Sequence, residues 1–231
     1  MAEVAKRCRK ATEQHPPWFP DSYDLRSEVE HFVARFDENE KNNADNHWIL
    51  KAWNFSQGMT TVVSNNLAEI LRRRECSVPF LVSKYVHEPI LISSANGLVK
   101  FDFRYHIIVQ SFRPLRAFAL KRFWPKLAIV PYNLELIEDL QRHLTNISIS
   151  NERTQPWFTD FVRQIESETT LDWERDVQLP TLVAIRDLLE AAALKDPPEG
   201  ICQNNNSRYI SLFGLYVITL ILEPCMELIS C

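Results

Sequence analysis

The chain reads as an α+β protein, and three features of its 231 residues say so. Apolar residues recur at helical spacing near the N-terminus, the period changes to that of strands between residues 79 and 120, and helical spacing returns from residue 133. No internal repeat interrupts this order, so a single α+β unit is expected over residues 18–231, preceded by a flexible segment, 1–17.

In chain order, HPPWFPDSY (15–23) combines three prolines with aromatic residues and predicts an extended entry segment, because proline and the residue before it disfavour helix. Leu25, Val29, Phe32, Val33 and Phe36 lie at helical spacing, and the polar run 37–46 reads as a loop. HWILKAW (47–53) reads as a strand. Residues 62–74 read as a helix with Val63, Leu67, Ile70 and Leu71 on one face, and Arg72, Arg73 and Arg74 suit the negative end of its dipole. FLVSKYV, PILI, the alternating LVKFDFRYHIIVQ and LRAFAL then form the sheet of the protein. Helices are expected over 133–144, 157–168 and 180–195, the last with Pro180 in its first turn and PPEG as its stop. A β-branched and aromatic run, 209–222, closes the pattern.

Composition removes several classes of function. With 45% hydrophobic and 24% charged residues the chain is not intrinsically disordered. A net charge of -4 gives no sequence-wide reason to bind nucleic acid or an anionic membrane, so neither partner is expected. The four glycines are never close together, which excludes a glycine-rich phosphate cradle. Five scattered cysteines without a C-x-x-C pair point to free thiols, and the N-terminus lacks an apolar signal core, so a cytoplasmic protein is expected. The uncharged run 210–222 is too short to span a bilayer and reads as a buried strand or helix.

Chemistry concentrates in KFDFRYHIIV. The strand period places Lys100, Asp102, Arg104 and His106 on one face and Phe101, Phe103, Tyr105 and Ile107 on the other. The second face must be core. The first is either the solvated side of an antiparallel strand or the floor of a polar cleft, where cations hold phosphate oxygens and the carboxylate orients a lysine, a hydroxyl or a metal-bound water. Lys51 shares its face with His47 and Ile49, and Lys84 and Tyr85 interrupt a buried apolar pattern ahead of Pro89.

Read together and in order, NHWILKAWN (46–54), LVSKYVHEPIL (81–91), VKFDFRYHIIV (99–109), RPLRAF (113–118) and HLTN (143–146) resemble the core of the tubulin tyrosine ligase-like family, from about residue 18 to 223. The resemblance implies a partial ATP-grasp fold, in which ATP lies between two antiparallel sheets. It also implies a reaction in which a carboxylate is phosphorylated and an amino-acid amine then attacks the acyl phosphate. ATP and Mg2+ are the implied cofactors and tubulin the implied partner. Carried over by position, Lys51 meets the α- and β-phosphates, and Lys84, Tyr85 and Val86 lie along the adenine. Lys100, Asp102 and Arg104 face nucleotide and substrate, Asn146 sits near the phosphates, Lys126 takes the place of a transfer-site arginine, and Glu223 is a metal ligand.

The chain also departs from the family pattern. Ala52 follows Lys51, Gln57 precedes Gly58 where a basic residue is usual, and Lys126 lacks the bidentate fork of arginine. Gly214 stands where the family has a metal-binding aspartate, and Cys225 where it has an asparagine, leaving Glu223 as one metal ligand of three. The first ATP-grasp subdomain and the C-terminal metal-binding segment are expected to be missing. The resulting expectation is a pseudo-enzyme that binds ATP and modulates tubulin modification, with Arg72 to Arg74 and Arg113, Arg116, Lys121, Arg122 and Lys126 facing acidic tubulin tails. Two alternatives stay open: a working ligase that adds tyrosine or glutamate using Glu223, and a truncated, unstable product.

Overall fold

The structure is a computed structural model. It describes residues 16, 18–53, 60–112, 114–145, 156–193 and 214–220, with backbone alone at 112 and 214–220. Its strands form two antiparallel sheets instead of the single sheet expected between residues 79 and 120. The first has the order β1-β4-β2-β3, from β1 (Ser22–Asp24), β2 (Trp48–Ala52), β3 (Val62–Ser64) and β4 (Phe80–Lys84). The break between the sheets falls just after β4, where the linker 85–90 carries Pro89, a residue with no N–H to offer a ladder.

In β2 the alternation puts Trp48, Leu50 and Ala52 inward and leaves Lys51 exposed on the opposite face, across from Leu81 of β4. The inward residues pack with Leu25, Phe32, Phe36, Ile70, Phe80 and Val82 in the first core, beneath α1 (Val29–Lys41). This helix runs five residues into the stretch read as a loop. The polar residues there hold its end: buried Asn39 donates from Nδ2 to the Asp45 carbonyl (3.2 Å) and Asn46 Oδ1 (3.1 Å), and Asn46 donates to the Phe36 carbonyl (3.0 Å). Asn43, at a φ of 50°, turns the chain away in the left-handed conformation that asparagine tolerates.

The expected helix over 62–74 is also corrected. The β-branched pair Val62 and Val63 enters β3 against β2, and helix α2 (Leu67–Arg72) starts only at its cap, where the Asn66 side chain accepts from the Glu69 N–H at 3.1 Å. A 3-10 turn, Arg73–Glu75, follows.

The second sheet is organised by the sixteen-residue β6 (Gly97–Phe112). One side of β6 pairs first with β5 (Leu91–Ser94) and then with β9 (Gly214–Leu220), the other with β8 (Trp124–Leu127) and β7 (Leu115–Ala119). The closing apolar run is thus a strand over 214–220. The β5–β6 turn needs its glycine twice over: Gly97 has a φ of 123°, and a Cβ there would come within 3.3 Å of Pro131 Cγ.

Phe101, Phe103, Tyr105, Ile107 and Val109 form the core face of β6, as the alternation requires. They pack against α4 (Phe158–Glu168), the π-helical turn Trp173–Gln178 and α5 (Leu179–Ala193). Phe123 stacks on Trp173 (centroids 4.9 Å, 18°) while Phe101 meets Phe161 edge-on at 5.1 Å. Pairs of this kind add about 0.5–1.5 kcal/mol each beyond their burial.

Pro180 is not in a first turn. Helical backbone is continuous from Trp173 to Ala193, and the wider π turn just ahead of Pro180 relieves the clash its ring would otherwise make with the carbonyl four residues back. Residues 133–144 divide into a 3-10 turn, Leu134–Leu136, and the short α3 (Leu140–His143), because Asp139 caps a new start by accepting from Gln141 N. Among the described residues no helix is long and apolar enough to cross a membrane.

Candidate functional site

Helices α4 and α5 pack on the apolar face of the second sheet, and the opposite face of β6 carries Lys100, Asp102, Arg104 and His106. It is a floor and not a solvated surface: Asp102 is 4% exposed and Lys100 1%. The Thr145 hydroxyl donates to Asp102 Oδ2, Arg104 Nε lies 3.5 Å from Oδ1, and Lys126 on β8 stands opposite in the strand register. Burial raises the pKa of Asp102 above the usual carboxylate range, against the opposing pull of Thr145, Arg104 and Lys126.

Lys51 of the first sheet lies within electrostatic reach of Asp102. Its side chain is open to solvent, yet the surrounding protein desolvates it enough to lower its pKa, and the Asp102 carboxylate pulls the pKa back up. Lys84 is held differently. Its ammonium is ion-paired with Asp45, donates to the His47 carbonyl (3.0 Å) and lies 5.5 Å from the Trp48 ring. Asp45 also receives His47 Nδ1 (2.6 Å) and the His47 N–H (3.0 Å). Burial works to raise the Asp45 pKa, but the bonds from His47 and Lys84 prevail and hold it well below the usual range.

Behind the floor, Lys100 donates to the Tyr85 hydroxyl (3.0 Å) and the Val86 carbonyl (3.1 Å), and its ammonium sits 4.1 Å from the Tyr85 ring centroid. Tyr85 in turn meets His143 Nδ1 at 2.8 Å. His106 packs edge-on against Trp124 at 4.3 Å. Of the residues singled out in the sequence, Tyr85, Val86 and Lys100 are joined by hydrogen bonds, Asp102, Arg104 and Lys126 lie together on β6 and β8, Lys51 is within electrostatic reach of Asp102, and Lys84 is tied to Asp45 and His47. Asn146 and Glu223, like Gln57 and Gly58, lie outside the described residues. Gly214 opens β9 opposite Val109.

Sequence reasoning missed Asp45, Tyr132 and the roles of His143 and Thr145. The last two sit inside the HLTN motif and had a signal; Asp45 lies in a polar run without periodicity and had none. Chemically, three cations around one desolvated carboxylate suit the holding of an anionic, polyphosphate-like ligand, with the carboxylate orienting whatever approaches them.

Comparison with known families gives this arrangement its class. The model of the Tubulin-tyrosine ligase family matches residues 1–219, and the chain belongs to that family. Among its relatives, tubulin–tyrosine ligase-like protein 12 of Mus musculus is 36% identical over 227 residues, covering 96% of this chain and 34% of the relative. The human protein of that name is 34% identical with the same coverage. A probable tubulin polyglutamylase of Caenorhabditis elegans is 30% identical over 158 residues, 63% of this chain and 36% of its own length. The chain thus spans about a third of the length of the curated relatives it matches.

Proposed function

We propose that this chain is an ATP-grasp-type domain that binds ATP between its two sheets, has lost the ligase reaction, and acts in the cytoplasm as a tubulin-binding modulator of tubulin modification. The observation that carries the reading is the buried Asp102 with Arg104 3.5 Å away and Lys126 opposite in the strand register, and with Lys51 of the first sheet within its electrostatic reach. Lys51, Arg104 and Lys126 fit the phosphates of ATP, and Lys84 at the end of β4 with Tyr85 and Val86 of the linker fit the base. Bound there, ATP would supply a transferable phosphoryl group. Lys51, Arg104 and Lys126 would hold and neutralise its phosphates, and Asp102, 3.5 Å from Arg104 and opposite Lys126, keeps those two cations in register.

Magnesium in the number the reaction uses does not fit the sequence. Gly214 and Cys225 offer no carboxylate or amide oxygen where the family resemblance places ligands, and Glu223 alone does not hold two ions in octahedral order. No catalytic step is assigned through them. Tubulin enters through the names of the relatives and through the basic residues Arg116, Lys121, Arg122 and Lys126, which complement an acidic partner. The test is incubation of the purified chain with tubulin, ATP, magnesium and tyrosine or glutamate. No ATP-dependent addition is expected, whereas turnover that disappears in Glu223→Ala would overturn the reading in favour of a working ligase.

A further inference from the structure

Lys100, Tyr85 and His143 come from three elements, and their hydrogen bonds run in one chemical direction. An ammonium only donates, so the Tyr85 oxygen accepts from Lys100 Nζ; the neighbouring Tyr132 hydroxyl gives its own proton to the His87 carbonyl, and because the Leu136 carbonyl can only accept from His143 Nε2, His143 Nδ1 is the acceptor for the Tyr85 proton. Nδ1 must then carry a lone pair. The proton of the ring lies on Nε2, which donates to the Leu136 carbonyl at 3.0 Å. All three residues are buried, His143 at 2% and Lys100 at 1% exposure, so the order of donors is not scrambled by bulk water.

The far end of the relay is the Val86 carbonyl, held by Lys100 at 3.1 Å. The near end is α3, whose next residues lead to Thr145 and its bond to Asp102. One chain of bonds therefore ties the linker between the sheets to the strand that forms the floor and to the segment lying over it. A second contact steadies the same linker, the Tyr132 hydroxyl donating to the His87 carbonyl at 2.5 Å.

We propose that His143, acting through Tyr85 and Lys100, is a positioning residue that sets the base-reading edge of the linker 85–87 and so decides which nucleobase the cleft accepts. The inference rests on the reading of the cleft as a nucleotide site. Lys100 acts from behind, on the Val86 carbonyl, and not on the phosphates. The electrostatics agree with a neutral imidazole. Burial lowers the His143 pKa, Lys100 and Arg142 lower it further, the Leu136 carbonyl and Asp139 raise it, and the rings of Tyr85 and Tyr132 complete its surroundings. Burial, with Tyr132, raises the Tyr85 pKa and keeps its hydroxyl a donor.

The experiment measures dissociation constants of ATP and GTP for the full chain and for Tyr85→Phe, His143→Leu, His143→Asn and Lys51→Ala, each checked for a cooperative thermal transition. Wild type is expected to discriminate between the two nucleotides. Tyr85→Phe and His143→Leu should change the ATP-to-GTP ratio by about tenfold, the value of one bond to a charged group. His143→Asn, which keeps an acceptor near the position of Nδ1, should restore most of the ratio. Lys51→Ala should weaken both nucleotides alike. An unchanged ratio in both Tyr85→Phe and His143→Leu, in a chain that does bind nucleotide, overturns the proposal while leaving the nucleotide site intact. Binding of neither nucleotide by wild type overturns the site and the proposal together. Nitrogen-15 spectra of the histidine rings give a readout without ligand: a proton on His143 Nε2 is expected, and one on Nδ1 refutes the relay.

Discussion

Replacing Asp45 with asparagine tests the electrostatics that hold the cleft strand in place. The carboxylate binds His47 Nδ1 at 2.6 Å, the His47 N–H at 3.0 Å and the Lys84 ammonium, with His87 Nδ1 at 3.4 Å. Its side chain is 13% exposed and that of Lys84 is 25%. The amide introduced by Asp45→Asn would keep one acceptor oxygen but turn an NH2 donor toward groups that already donate. Two charge-assisted bonds are lost, each contributing about 1.5–3 kcal/mol when fully buried, and partial solvent access reduces the total to about 2–4 kcal/mol. At about 2–4 °C per kcal/mol for a chain of this size, the unfolding midpoint should fall by about 5–15 °C. The pH dependence has a definite sign. The folded Asp45 pKa is depressed below the ordinary aspartate value of 3.8, so its contribution is present above about pH 4 and is lost as pH falls further. Thermal melts from pH 7 to 3 should show a steeper acid loss in wild type than in Asp45→Asn. A variant that melts within a degree of wild type, or shares its acid slope, would refute the assignment.

Three other outcomes follow from the same geometry. Asp102→Asn should leave stability at pH 7 unchanged within about 1 kcal/mol, or raised, since burial disfavours the charged carboxylate. Because the folded Asp102 pKa is raised, wild type gains relative stability as pH falls toward 4, and the gap between the two in denaturant melts should narrow there. Tyr105→Phe should raise stability by about 1 kcal/mol in urea titrations, because the Tyr105 hydroxyl is buried without a hydrogen-bond partner among the described residues. Phe123→Ala, which removes the ring stacked on Trp173, should cost about 3–5 kcal/mol in the same titration.

What could be read from the sequence was whatever depended on period. The two faces of β6 follow from alternation over ten residues, and the structure places Phe101, Phe103, Tyr105, Ile107 and Val109 in the core and Lys100 and Asp102 on the opposite face as that alternation requires. Helix α4 was legible for the same reason. Elements decided by single polar contacts were not. The end of α1 depends on Asn39 and Asn46 finding carbonyls, the start of α2 on the Asn66 cap, and the division of 133–144 on Asp139. Each is a local bond that hydrophobic spacing does not register. Pro180 was misread because a π turn, which makes room for an internal proline, has no periodic signature of its own. At the site, the strand period groups Lys100, Asp102 and Arg104, but the tertiary ties have no signal in the sequence: nothing there joins Asp45 to Lys84, or His143 to Lys100, until the fold brings them together.

The central claim is that the cleft between the sheets binds nucleotide through Lys51. Its most direct test is a thermal-shift titration of the full chain with magnesium and ATP beside Lys51→Ala. At a hundred times the dissociation constant, ligand adds roughly 2.7 kcal/mol of stability, a midpoint rise of about 5–11 °C at this size. That rise is expected in wild type, together with its loss in Lys51→Ala. A folded wild-type chain that shows no shift, or one that Lys51→Ala leaves unchanged, would contradict the claim.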